Sequence, residues 1–144
     1  IEWDPYDVLA PDGTTIEVKT SAYLQAWDQH KLSTIQFTGL RSRIWTTEGG
    51  LTPTPTYNAD VYVFAIQTAR THEDYDPLLA SQWRFHVLPK RTVENLGQDS
   101  IGLATLEKLA GPSVAYEELS EAINSATRKH TPETIFTPQP HPTL

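Results

Sequence analysis

Tyr6-Asp7-Val8-Leu9-Ala10-Pro11-Asp12-Gly13-Thr14-Thr15-Ile16-Glu17-Val18-Lys19 is the stretch from which the fold is read. Two β-rich runs flank Pro11-Asp12-Gly13. Proline presets φ for the first turn position, aspartate suits the second, and glycine accepts the left-handed third. The result is a three-residue hairpin loop closed by a glycine bulge. The turn sets the register: Ala10 faces Thr14, and Asp7 faces Glu17. Strand alternation puts Lys19 on the Glu17 face and Tyr6, Val8, Ile16 and Val18 on the other. The register that buries the apolar side thereby gathers two carboxylates and an amine on the opposite one.

The chain has 144 residues, enough for one domain with its own core. Hydrophobic residues make up 38% and charged residues 20%, the balance of an ordinary soluble domain. No apolar run approaches the roughly 18 residues of a membrane span, and the N-terminus lacks a signal-peptide pattern. The expectation is a cytoplasmic protein with no membrane partner. Cysteine is absent, which excludes disulfides and thiolate metal sites. Methionine is absent too, position 1 included, so the chain reads as a piece of something longer, with further domains as expected partners. The net charge of −7 counts against a large basic nucleic-acid surface. Much of it sits in two local clusters, however: Glu73, Asp74 and Asp76, and Glu117, Glu118 and Glu121. A divalent metal would offset more.

After Lys19, a helix is expected, capped by Thr20 or Ser21, with Leu24, Trp27 and Leu32 as its buried stripe. Gln25 and Gln29 share another face. Gln25 would then lie within about two turns of the carboxylates, either orienting a phosphate or water or simply facing solvent. Ser33–Phe37 reads as the next strand. Arg41 and Arg43 follow it, for phosphate contact or for solvent. The loop from Thr46 to Asn58 is stiffened by Pro53 and Pro55, and suits a lid, a groove wall or a mobile excursion.

Asp60–Ile66 is nearly continuous in apolar character, as a central strand covered on both faces would be. Asp60 reads as a structural cap. His72, among Glu73, Asp74 and Asp76, reads as part of a solvated loop rather than a metal cluster. Trp83–Leu88 alternates as a strand and ends at Pro89, with His86 as a hydrogen-bonded strand histidine. Lys90–Leu96 reads as a short helix stopped by Gly97, Ile101 as a last short strand, and Thr105–Ala110 as a helix closed by Gly111-Pro112. Ser113 is expected to cap a longer helix with Tyr116, Leu119, Ile123 and Ala126 on its apolar stripe. Residues 1–129 form one domain on this reading. Residues 130–144, with Pro132, Pro138, Pro140 and Pro142, form an extended tail. The fold class is α/β, a mixed central sheet flanked by helices.

Two facing carboxylates can hold Mg²⁺ or Mn²⁺, hard cations that take oxygen ligands; Mg²⁺ keeps several waters. The backbone carbonyl of Val18 is a third candidate ligand. A bound metal polarises a phosphoryl oxygen, lowers the pKa of a bound water and relieves the repulsion between the carboxylates. Lys19 stabilises developing negative charge or positions the attacking water. The other reading of the same residues is a surface Glu–Lys ladder, worth a few tenths of a kcal/mol.

Asp7, then Glu17-Val18-Lys19, then an expected helix carrying Gln25, resembles the PD-(D/E)XK nuclease superfamily. That resemblance implies a restriction-endonuclease-like fold, metal binding by Asp7 and Glu17, a catalytic role for Lys19, and Gln25 as the helix glutamine seen in some branches. Tyr6 stands where the family's proline would precede Asp7, and Pro11-Asp12 occupies the turn. The family's acid on an upstream helix has no counterpart here, Glu2 being a poor substitute. The expectation is a metal-dependent nuclease acting on DNA, the cleavage module of a restriction or phage-defence protein, alone or as a homodimer. The alternative is a catalytically inactive domain of the same fold that binds nucleic acid or a partner protein.

Overall fold

The computed structural model describes residues 5–130. In chain order the strands are β1 (Val8–Leu9), β2 (Thr15–Ala22), β3 (Gln36–Phe37), β4 (Trp45–Thr46), β5 (Gly50–Leu51), β6 (Val61–Gln67), β7 (Trp83–Pro89) and β8 (Ile101–Gly102). The helices are α1 (Lys90–Leu96), α2 (Leu103–Ala110) and α3 (Leu119–His130). The central sheet has four strands in the order β1-β2-β6-β7. β2 and β6 run parallel, and β1 and β7 pair antiparallel with their neighbours, so the sheet is mixed. The tail reading for residues beyond His130 lies outside the described residues.

β6 is buried at every position, as its continuous apolar sequence requires. Alternation along it builds two cores. Val61, Val63 and Ala65 join Ile16 and Phe85 against Ala126, Leu119 and Ile123 of α3. Tyr62, Phe64 and Ile66 face the other way and meet Ile35, Phe37 and Leu40 of the β2–β6 crossover, with Val93 of α1 and Leu106 of α2. Gly97 (φ 66°) ends α1 and Gly111 (φ 79°) ends α2, where the sequence has them. The Asp60 carboxylate accepts the Thr15 N–H at 2.9 Å and ties β6 to β2, a structural role as expected. The acids around His72 cap local turns: Thr71 donates to Asp74, and the Asp76 carboxylate accepts the Leu78 N–H.

Four expectations are corrected. First, no helix follows Lys19. Thr20, Ser21 and Ala22 extend β2 by pairing with Ala65, Ile66 and Gln67, so long-range pairing overrides the local helical pattern. An irregular loop follows, laced by Gln29, which donates to the Tyr23 carbonyl and to Ser33 Oγ. Trp27, expected in a buried stripe, is 64% exposed. Second, the strand expected over 33–37 shrinks to Gln36–Phe37, paired with β8. Third, Ser113 does not cap the last helix. Its hydroxyl and carbonyl accept bonds from the Arg84 guanidinium, and the Glu118 carboxylate accepts the Ala115 N–H at that helix entry instead. Tyr116, placed in the stripe, is exposed.

The fourth correction is His86. Its side chain is buried, and neither ring nitrogen makes a hydrogen bond of good geometry among the described residues, although the Gly111 backbone approaches closely enough to act on the ring. Burial pushes the imidazole pKa below its ordinary value, against the opposing pull of the Glu107 carboxylate. The folded state therefore holds the ring neutral while the unfolded chain takes up a proton near pH 6.5. This contribution to stability is complete above about pH 6.5 and declines as the pH falls below it, until the lowered folded-state pKa is reached. In urea titrations from pH 7 to pH 5, His86→Phe should flatten the fall in unfolding free energy. An unchanged slope would assign the acid sensitivity to other groups.

Candidate active site

The hairpin pairs Val8 with Ile16 and Leu9 with Thr15, the register set by the turn. The Gly13 N–H donates to the Ala10 carbonyl, and Ala10 in turn donates to Thr14. Gly13 has φ +89°, the left-handed position that turn needs. The ladder then breaks at Asp7. Its N–H reaches the Ile16 carbonyl, already opposite Val8, so two residues of this chain face one on β2, as in a bulge. Tyr6 is consequently not on the Val8 face. It packs against the crossover core and lines the same cavity as Asp7 and Glu17. Val8 and Val18 are exposed, no described residue covering them fully.

In place of the next ladder rung, Asp7 Oδ2 accepts the Val18 N–H at 2.8 Å. Within a strand, a residue's N–H and C=O point to the same edge. The Val18 carbonyl therefore points past the end of β1, where it accepts no backbone hydrogen bond from the described residues. On the crossover side, Glu17 and Lys19 project beside Tyr62 and Phe64. Lys19 Nζ lies 3.0 Å from Glu17 Oε1, with both side chains mostly buried. Gly39 (φ +69°) flanks the amine; a Cβ there would stand 3.5 Å from Nζ, an ordinary van der Waals contact, so it is the backbone conformation that favours glycine. Below Glu17, the Tyr62 hydroxyl accepts the Asn58 N–H, and its pKa is raised to about 12, chiefly by burial.

Asp7 and Glu17 open into a cavity of about 430 Å³. Tyr6 lines one side. The far wall is an arm of the crossover carrying Arg43, Ile44, Trp45 and Leu51. Local bonds stiffen this arm. Ile44 and Thr52 exchange hydrogen bonds, Ser42 pairs with Thr56, and the Asn58 amide donates to Ser42. β4 and β5 form its tip, turned by Gly49-Gly50. The segment read as a loop over 46–58 thus holds a small hairpin and forms a groove wall.

The structure brings together Asp7, Glu17, Lys19 and Arg43 of the sequence-derived candidates, with the Val18 carbonyl at their edge. Arg43 makes no ion pair among the described residues. Arg41 does not join them: its guanidinium lies 5.9 Å from the Tyr57 ring and its N–H binds the Asp99 carboxylate. Gln25 is also elsewhere. It follows the end of β2, whose last residue is about 16 Å along the strand from Glu17. Its amide donates to the Ala22 carbonyl, and it lines a separate cavity of about 780 Å³. That cavity is larger, but no carboxylate, lysine or arginine lines it. The smaller cleft therefore holds the grouped charges.

Sequence reasoning did not single out Trp45, Leu51 or Gly39. The exposed tryptophan and leucine flanking Gly49-Gly50 were the available signal for a hairpin tip. Among the described residues no group of three or more His, Cys, Asp or Glu side chains gathers to hold a metal. The oxygens available to a hard cation are the two carboxylates and the Val18 carbonyl. That is a small, all-oxygen donor set, which suits an ion that retains water. No helix among the described residues is long and apolar enough to cross a membrane. The chain matches no protein-family model, no curated protein and no solved structure.

Proposed function

We propose that this chain is a divalent-metal-dependent nuclease of the restriction-endonuclease-like kind, hydrolysing phosphodiester bonds in DNA. One observation carries the reading: Asp7, just before β1, and Glu17, on β2, share a cleft with Arg43, and the Lys19 amine sits 3.0 Å from Glu17. Asp7, Glu17 and the Val18 carbonyl would hold Mg²⁺ or Mn²⁺. When bound, the metal supplies charge neutralisation at the phosphate and a water of lowered pKa. Lys19 adds a fixed positive charge where negative charge develops. Arg43 offers a planar donor fork to a phosphate oxygen pair. Such a site cuts one strand, so a double-strand break calls for a second copy or another domain, as in the cleavage module of a restriction or phage-defence protein.

The test is nicking of supercoiled plasmid by the purified protein in Mg²⁺ or Mn²⁺, with calorimetric titration of the metal alone. Asp7→Asn and Glu17→Gln should each lower metal affinity at least tenfold and abolish nicking. Metal binding that neither variant alters would overturn the assignment of ligands. A second reading, a non-catalytic domain that binds nucleic acid or a partner protein, is favoured by the small number of acids in the cleft. Absence of any metal heat, together with retained DNA binding, selects it.

A further inference from the structure

The arm that walls the cleft ends in an exposed indole. Trp45 is 56% exposed and Leu51, its cross-strand partner, 48%. Neither belongs to the two cores of the domain. The benzo edge of the ring lies beside Gly50, where a Cβ would stand 3.8 Å from Cζ3, an ordinary van der Waals contact. Gly50 has φ +72°, and Thr46 Oγ1 closes the tip by donating to the Gly50 carbonyl and accepting the Gly49 N–H. The ring thus has one edge beside the tip of the arm and is otherwise open to solvent, on the lining of a cleft that also holds Asp7, Glu17 and Arg43.

Charge in the cleft is sparse. Arg43 lines it and Lys19 stands behind Glu17, already paired. With a net charge of −7 over the chain, these cations are too few to hold a duplex through its phosphates, the source of most non-specific duplex affinity. An exposed aromatic ring on the cleft lining supplies the other means of holding nucleic acid. Bases stack on such rings regardless of sequence, but only bases released from pairing can reach them.

We infer that Trp45 is a stacking platform for an unpaired base beside the scissile phosphate, so the substrate is single-stranded DNA or a frayed end rather than continuous duplex. This rests on the nuclease reading for the word substrate. The stacking itself is read by binding, without cleavage. Leu51 extends the apolar rim beneath the base, and Arg43 meets the adjoining phosphate.

The experiment measures fluorescence anisotropy of a labelled dT₁₂ strand and of a 12-base-pair duplex in metal-free buffer, for wild type, Trp45→Ala and Trp45→Phe. Wild type should bind the single strand at least tenfold more tightly than the duplex. Trp45→Ala should lose about tenfold or more on the single strand and little on the duplex, and Trp45→Phe should retain most of the affinity. Because the side chain is exposed, thermal melting should be unchanged in both variants. Equal affinity for strand and duplex, or single-strand binding unaffected by Trp45→Ala, overturns the proposal, as does a lack of binding by wild type. Plasmid nicking is scored separately. Single-strand binding that depends on Trp45 without any metal-dependent cleavage keeps the platform and removes the nuclease.

Discussion

Lys19→Ala should lower metal-dependent DNA cleavage by about two to three orders of magnitude, the loss expected when a positioned electrostatic donor is removed from a reacting centre. The amine has neighbours on two sides. Glu17 Oε1 lies 3.0 Å away, and Gly39 flanks the amine on another side. Lys19→Arg should fail to rescue, because a planar, delocalised guanidinium does not reproduce the compact point charge held 3.0 Å from Glu17. Both side chains of the pair are mostly shielded from solvent. Removing the amine leaves Glu17 partly desolvated and unpaired, at a cost of about 1–3 kcal/mol. A typical domain has about 5–15 kcal/mol to lose, so circular dichroism at 25 °C should still report a folded chain. Cleavage by the variant at the wild-type rate would remove Lys19 from the chemistry.

Phe64→Ala should lower the unfolding free energy by about 3–5 kcal/mol, and the melting temperature by roughly 10 °C or more. Phe64 has no solvent exposure and lies mid-sheet, between Lys19 on β2 and His86 on β7. The Phe37 ring meets it edge-on, centroids 5.0 Å apart at 72°. This contact, with Ile35 and Leu40, fastens the crossover to the sheet. Phe64→Leu keeps apolar bulk but loses the edge contact, worth about 1 kcal/mol, so it should fall between wild type and Phe64→Ala. Chemical denaturation measures both. If Phe64→Ala melts like wild type, the crossover is not anchored where the ring pair lies.

The hairpin register at Val8 and Leu9 was legible because Pro11-Asp12-Gly13 permits few turns, whereas the expected pairing of Asp7 with Glu17 failed, since a bulge sets Asp7 opposite Ile16. The helix stops at Gly97 and Gly111 were legible for a similar reason, since left-handed backbone selects glycine. The central strand announced itself through unbroken apolar character. What failed depended on distant partners. Residues 20–32 carry a helical pattern, but Thr20–Ala22 are claimed by β6, far along the chain. Gln25 lost its expected place with that helix. Asp7 and Glu17 were assigned to one site from the turn alone. Arg43 could not be told from Arg41, because the choice between cleft and Tyr57 ring is made by the fold of the arm. The pairing state of His86 was equally hidden, since it depends on which groups α2 and its flanks bring near.

The parallel join of β2 to β6 has a kinetic consequence. Thr15 and Asp60, which fasten the start of that pairing, are 45 residues apart, and the segment between them contains no helix. The arm from Ser42 to Thr56 is a locally paired unit within it, but a long stretch of chain must still be closed. Contacts of such long separation are reached late, after the chain has lost the entropy of closing the loop. The β1–β2 hairpin, by contrast, closes within a few residues. Glu17 and Lys19 are therefore presented on an early-forming element, while Arg43 and Trp45 arrive with the last-docking one. Loop-closure entropy leads to the expectation that the cleft assembles after the hairpin, an order that φ-value measurements at Val8 and Phe37 would test.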